Sequence, residues 1–281
     1  MADISRAVLI TGCSTGIGRA AAERLAGRGH TVYATARRLE SIEDLTETGC
    51  RTLALDVTDE ESMRAAVQEV EQAEGAVGAL VNNAGYSQNG ALETVALDDL
   101  RKQFETNVFG LLRMCQLVLP GMRRQRHGRI VNLSSMGGKL TFPGGGPYHA
   151  TKYAVEAISD VLRFEVRGFG VDVSIIEPGL IKTNFAETSV ATVAQADGPY
   201  AEFNKAVAAA TAGAYEGPLG KLGGGPESVA EVIEKAITAR RPRTRYKVTA
   251  SARILMAQRA LMPDRVWDVA IRSSFPRPGA S

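Results

Sequence analysis

Ala7-Val8-Leu9-Ile10-Thr11-Gly12-Cys13-Ser14-Thr15-Gly16-Ile17-Gly18 decides how this chain is read. Four apolar residues predict a buried strand, and the glycines at 12, 16 and 18 predict a tight turn. A helical pattern then runs from Ile17 to Arg28, with Ala20, Ala21, Leu25 and Ala26 inside it. Strand, glycine turn and helix is the context a dinucleotide site requires. Glycines let the backbone approach a pyrophosphate, and the helix N-terminus offers free N–H groups and a positive dipole end. An ordinary turn that needs glycine for positive φ is the plainer alternative. Three glycines at this spacing in the first strand-helix unit favour the site, with Gly12, Ser14, Thr15, Gly16, Ile17 and Gly18 as its candidate contacts.

Outward from the loop, apolar runs alternate with helical stretches. Strands are expected at Ala7–Thr11, Thr31–Ala36, Thr52–Leu55, Ala79–Asn82, Arg129–Leu133, Val171–Ile176 and Tyr246–Thr249. Continuous runs separated by helices predict an α/β fold with a parallel sheet covered on both faces. No linker or internal repeat divides the 281 residues, so one domain over 1–281 is expected. The first strand begins by about Arg6 and leaves no room for a secretory leader, and no apolar run reaches the ~20 residues of a membrane helix. Cys13, Cys50 and Cys115 are odd in number, which fits reduced thiols and a cytoplasmic location. His30, His127 and His149 lack ligand spacing, so no metal is expected.

Chemistry is suggested by Pro147-Tyr148-His149-Ala150-Thr151-Lys152, with Ser135 upstream in Asn132-Leu133-Ser134-Ser135-Met136-Gly137-Gly138. A spacing of four on a helix puts the phenol and the ammonium on one face. A free tyrosine, with a pKa of about 10, is a poor acid-base group at neutral pH. An adjacent Lys⁺ is expected to lower that value toward the working range. The Ser135 hydroxyl can hydrogen-bond the oxygen that gains or loses the proton. His149 points about 100° away from Tyr148 and is expected on the helix surface or a dimer face.

Here the chain resembles the short-chain dehydrogenase/reductase family. The family's Thr-Gly-x-x-x-Gly-x-Gly loop is Thr11 to Gly18, and its adenine-contacting acid corresponds to Asp56 in Leu55-Asp56-Val57. Its Asn-Asn-Ala-Gly turn is Asn82-Asn83-Ala84-Gly85, and its helical catalytic asparagine matches Asn107. The catalytic serine stands thirteen positions before the tyrosine, which selects Ser135 over Ser134. Pro178-Gly179-Leu180-Ile181-Lys182-Thr183 matches the turn and threonine that hold the nicotinamide amide. The resemblance spans residues 6–185 and implies a doubly wound Rossmann-like sheet, a dinucleotide bound also by Val57, Asn83, Ala84 and Gly85, and a homodimer or homotetramer. It also implies a mechanism. Ser135 would hold the substrate oxygen, Tyr148 would exchange its proton, Lys152 would serve the tyrosine and the ribose, and Asn107 would position a relay water.

An acid at the end of the second strand would select NAD. Ala36 stands there instead, followed by Arg37 and Arg38, and a guanidinium suits a 2′-phosphate, so NADP(H) is expected over NAD. Thr15 stands where many NADP-preferring relatives carry a basic residue. Residues 184–225, with turns at Ala196-Asp197-Gly198-Pro199 and Gly223-Gly224-Gly225-Pro226, fall where the family keeps a mobile substrate lid. Phe142, Phe185, Tyr200 and Phe203 are candidate pocket walls. Pro226-Glu227-Ser228-Val229-Ala230-Glu231-Val232 and Thr244-Arg245-Tyr246 are more loosely similar to the type 1 17β-hydroxysteroid dehydrogenase and photoreceptor retinol dehydrogenase branch. A small apolar carbonyl compound or alcohol is the expected substrate.

Arg240 to Ser281 holds ten Arg or Lys against two acids, although the whole chain carries only +2. A packed appendage at about 250–281 with a solvated basic face is expected in preference to a membrane-docking surface. No nucleic-acid reader motif accompanies the charge. A 3-oxoacyl thioester reductase is the nearest competing activity. A sugar-nucleotide epimerase would show Gly-x-x-Gly-x-x-Gly, and a non-catalytic NADP sensor would be expected to lack one of Asn107, Ser135, Tyr148 and Lys152.

Overall fold

The apolar runs become seven strands of one parallel sheet. They are β1 (Val8–Ile10), β2 (Val32–Ala36), β3 (Arg51–Ala54), β4 (Ala79–Asn82), β5 (Gly128–Leu133), β6 (Val171–Pro178) and β7 (Arg245–Val248). Their order is β3-β2-β1-β4-β5-β6-β7. A computed structural model describes residues 4–193, 198–272 and 275–278 of the chain. Ala196 and Asp197 of the expected turn lie outside these residues.

Alternate residues of β1 explain why helices cover both faces. Leu9 points into one core with Leu80 and Ile130, under α2 (Glu60–Glu74), α4 (Leu111–Gln125) and α5 (Gly146–Val166). Val8 and Ile10 point into the other with Val81 and Val131, under α1 (Gly16–Gly27) and α9 (Pro226–Thr238). A strand buried on both faces reads as an unbroken apolar run. The chain lays β2 and β3 to one side of β1, then crosses to β4 on the other, with Val8 pairing both Val32 and Ala79. That reversal opens a crevice at the carboxyl ends of β1 and β4, where ligands of such sheets bind.

Between α2 and α5 the chain also forms α3 (Leu97–Phe104), and a π-helical segment, Glu105–Gly110, joins it to α4. Residues beyond β6 form α6 (Phe185–Ala191), α7 (Ala201–Gly213) and α8 (Pro218–Lys221). The end of the chain forms α10 (Ala250–Leu261) and α11 (Asp264–Arg272). Ala252, Leu255, Met256 and Trp267 from this end pack on Met136 and Leu140 from the loop after β5. β6 runs two residues further than its apolar run, because Glu177 and Pro178 pair with Lys247 and Val248. Among the described residues no helix is long and apolar enough to cross a membrane.

Candidate active site

Main chain shapes the glycine loop. Gly12 and Gly16 take φ of 74° and 63°, the left-handed region that glycine reaches without strain. A Cβ on Gly12 would stand 2.9 Å from the Ala84 Cα. The Thr11 hydroxyl accepts from the backbone N–H groups of Asn83 and Ala84, each at 3.0 Å. The Asn83 amide in turn donates to the carbonyls of Thr11 and Gly12, each at 2.9 Å. Strand ends β1 and β4 are thereby knotted around the loop. Thr15, the N-cap of α1, makes no side-chain cap, so the helix's first N–H groups are left for a ligand.

Gly12, Ser14, Thr15, Gly16 and Ile17 line a cleft of about 880 Å³. The same cleft is lined by Arg37, Asp56, Val57, Asn83, Ala84, Gly85, Ser135, Tyr148, Lys152, Pro178, Gly179 and Thr183. Two expected residues stand behind its wall. Gly18 is buried, and a Cβ there would fall 2.3 Å from the Gly12 carbonyl oxygen, so its part is close packing of α1 on the loop rather than ligand contact. Asn107, on the π-helical segment, is also buried. Its amide donates to the Tyr86 carbonyl at 2.9 Å and to the Thr151 hydroxyl at 3.1 Å, and its Oδ1 accepts from the Tyr86 N–H. A Cβ on Gly85 would lie 3.1 Å from that Oδ1 and 3.9 Å from the Lys152 Nζ, so the glycine keeps the asparagine and lysine close.

Tyr148 and Lys152 descend from the first turns of α5, and Ser135 caps the short turn after β5, accepting from the Gly137 N–H at 3.0 Å. The expected lowering of the tyrosine's pKa is corrected by the structure. Burial pushes the Tyr148 phenol up to about 12, and the Ser135 hydrogen bond only partly offsets this. Lys152 is buried as well: its ammonium is pushed down to about 8 and donates to the Leu133 carbonyl at 2.7 Å. Burial disfavours the charged form of both groups. Without further charge in the cleft, Tyr148 is a proton-bearing acid at neutral pH.

His149 is not on the surface. It is buried, its Nε2 accepts from the Phe142 N–H at 3.1 Å, and its Nδ1 lies 3.0 Å from the Gly137 carbonyl oxygen. An accepting Nε2 leaves the ring proton on Nδ1, so the neutral imidazole clasps both ends of the loop beyond Ser135. Helical periodicity missed this because a loop distant from the helix's own face folds over it. Among the aromatic candidates, Phe142 and Phe185 line the cleft, and the Phe185 ring centroid is 5.6 Å from that of Tyr148. Tyr200 instead donates to Glu93 at 2.6 Å, and Phe203 lines a separate groove with Trp267 and Phe275. Tyr215, which also lines the cleft, carried no sequence signal. Burial pushes the Cys13 and Cys115 thiols up to about 12, so neither is a thiolate nucleophile at neutral pH.

The phosphate end of the expected ligand also has fitting groups. Ala36 offers no carboxylate, and Arg37 lines the cleft without an ion pair among the described residues, whereas Arg38 does not line it. Asp56 turns Oδ1 to the Thr58 N–H and hydroxyl at 2.9 and 2.7 Å.

Residues 6–194 match the family model described as short chain dehydrogenase. The chain is 34% identical over 269 residues to the 3-ketodihydrosphingosine reductase of Bacteroides thetaiotaomicron, covering 94% of this chain and 96% of that protein. It is 34% identical over 283 residues to the NADPH-dependent 3-dehydrocapnine reductase of Ornithobacterium rhinotracheale, covering 94% and 95%. The crystal structure of a short-chain dehydrogenase from Streptomyces avermitilis superposes with a TM-score of 0.76 at 32% identity, covering 97% of each chain.

Proposed function

The chain belongs to the short-chain dehydrogenase/reductase family and is an oxidoreductase, and from that premise we propose that it uses NADP(H) to interconvert an apolar ketone and its secondary alcohol, or an aldehyde and a primary alcohol. The observation that carries this reading is the meeting of Ser135, Tyr148 and Lys152 in the cleft that begins at the glycine loop.

Bound nicotinamide supplies or accepts the hydride, and the protein supplies position and electrostatics. Gly12, Gly16 and the open first turn of α1 would hold the pyrophosphate, and Arg37 the 2′-phosphate. In the reducing direction the Ser135 hydroxyl hydrogen-bonds the carbonyl oxygen, and Tyr148 gives its phenolic proton to the same oxygen as alkoxide develops. A phenol kept protonated by burial suits that step. Lys152 keeps one N–H on the Leu133 carbonyl, leaving others for the ribose, while Asn107 acts through the Tyr86 backbone and Thr151 rather than on the substrate. An apolar substrate is supported by Phe142, Phe185 and Leu180 on the cleft wall. The names of two relatives, a keto-substrate reductase and an NADPH-dependent reductase, point the same way.

The test is a panel of ketones, aldehydes and alcohols, read by NADPH oxidation or NADP⁺ reduction. Turnover of apolar ketones is expected. Turnover confined to thioesters or to short polar carbonyls would remove the reading.

A further inference from the structure

The groove that holds Trp267 adjoins the reacting cleft, and Phe142 lines both spaces. Ring centroids lie 5.9 Å apart from Tyr148 to His149, 6.2 Å from His149 to Phe142 and 6.1 Å from Phe142 to Trp267. The backbone around Phe142 is tied down. Its N–H donates to His149 Nε2 at 3.1 Å, and its carbonyl accepts from the Gly145 N–H at 3.2 Å. The Gly144 carbonyl accepts from the Gly90 N–H at 2.8 Å. Main chain thus fixes the frame of the partition and leaves the half-buried Phe142 ring as the divider.

The groove measures about 590 Å³. Phe203 of α7, Trp267 and Ile271 of α11, and Phe275 beyond α11 give it apolar walls. The rings of Phe203 and Phe275 lie 6.5 Å apart. Asp268, Arg272 and Arg277 also line the groove, but they are exposed, so their charges stay in water. Apolar walls with solvated charges beside them suit a hydrocarbon better than a polar group, which would lose its water there without gaining partners. Leu92, 68% exposed, stands on the same groove, and an apolar chain laid against it would remove that surface from water.

We propose that this groove binds the unreactive end of the substrate, an unbranched alkyl chain on the carbonyl carbon that runs past the edge of Phe142. The proposal rests on the reading that a ketone is reduced beside Ser135 and Tyr148. An extended chain advances about 1.2 Å per bond, so roughly fifteen bonds cover the ring-to-ring steps from Tyr148 to Trp267 laid end to end. A ketone of a few carbons ends before Phe142, whereas a long one reaches the groove. Each further methylene taken out of water there strengthens binding about fourfold. Preference for long chains is then set by α7 and α11, apart from the reacting corner.

Trp267 is the chain's single tryptophan, so its fluorescence reports on the groove directly. The probe is a straight 2-alkanone of about fifteen carbons with bromine on its far end, added to the unaltered protein with NADP⁺, where no turnover occurs. Saturable quenching, reversed by the unbrominated ketone and absent with a short brominated ketone, is expected. No quenching by the long ketone overturns the proposal. Emission that changes only with protein concentration would give the groove to a second copy, and emission that changes only with phosphatidylglycerol vesicles to a membrane; either result also overturns it. Leu92→Asp, at an exposed position, and Phe203→Ala should each raise KM for the long ketone about tenfold and leave kcat and the short ketone's KM unchanged. Equal changes for both ketones, or none, would refute the groove's role. Quenching needs no turnover, so the groove can fail while short ketones are still reduced, and it can hold while no ketone is.

Discussion

At the glycine loop, main chain meets main chain: Gly12 against Ala84, Gly18 against the Gly12 carbonyl, and Thr11 binding two backbone N–H groups. At the reacting corner, side chains hold one another instead, with His149 on Gly137 and Phe142, Asn107 on Tyr86, and Lys152 on Leu133. The first kind of site tolerates almost no added atom but asks little of residue chemistry beyond glycine. The second is adjustable in shape, while its function depends on which protons are present. A dinucleotide of fixed form suits the first, and a substrate that varies among relatives suits the second.

The sharpest way to break this contrast is Tyr148→Phe, which deletes one proton from the adjustable corner. Turnover should fall ~10²–10⁴-fold with NADPH affinity nearly unchanged. Retention of most activity on an accepted ketone would show that the proton comes from elsewhere. Arg37→Ala should narrow the preference for NADPH over NADH by ~1.5–3 kcal/mol, as measured by titration of both cofactors at low salt. Equal affinities in the unaltered protein would end the phosphate argument. Gly18→Ala tests the rigid loop: a Cβ 2.3 Å from a backbone oxygen should cost about 1–3 kcal/mol, seen as a lower Tm and weaker NADPH binding. A variant as stable and as tightly binding as its parent would show that the loop can yield. The smallest effect belongs to the substrate. Across ketones of growing apolar chain, each buried methylene should add about 0.8 kcal/mol to the free energy behind kcat/KM. A flat series would mean that Phe142 and Phe185 do not enclose the substrate.

The sheet was legible because strands buried on both faces leave continuous apolar runs, and all seven runs became strands. β6 was read two residues short because Glu177 is a carboxylate, and a buried charge at a strand end breaks the pattern from which strands are recognised. The glycine loop was legible for a similar reason, since positive φ and backbone contact leave few residue choices. Asn107 stands behind the cleft wall near Lys152, whereas His149, expected on the surface, is buried. Periodicity gives a side chain's direction from its own helix and is silent about which loop folds over it. The state of Tyr148 was misjudged because spacing records the nearby lysine and not the depth at which both are buried.

The His149 clasp carries a consequence for life in acid. Burial lowers the pKa of this imidazole despite the hydrogen bond to Gly137, so the folded protein takes up its proton less readily than the unfolded chain does. The clasp's contribution to stability is whole above the unfolded value of about 6.5 and is lost as pH falls through the lower folded value. A protonated Nε2 can no longer accept from Phe142, and the loop after Ser135 would come unbuttoned from the helix that carries Tyr148. Acid would then silence the enzyme by misregistration, parting two hydroxyls whose own chemistry is untouched. An imidazole resonance of His149 that titrates at or above the unfolded value in the folded protein would refute this. Otherwise the molecule carries a reversible fuse, blown by protons and reset by neutral solution.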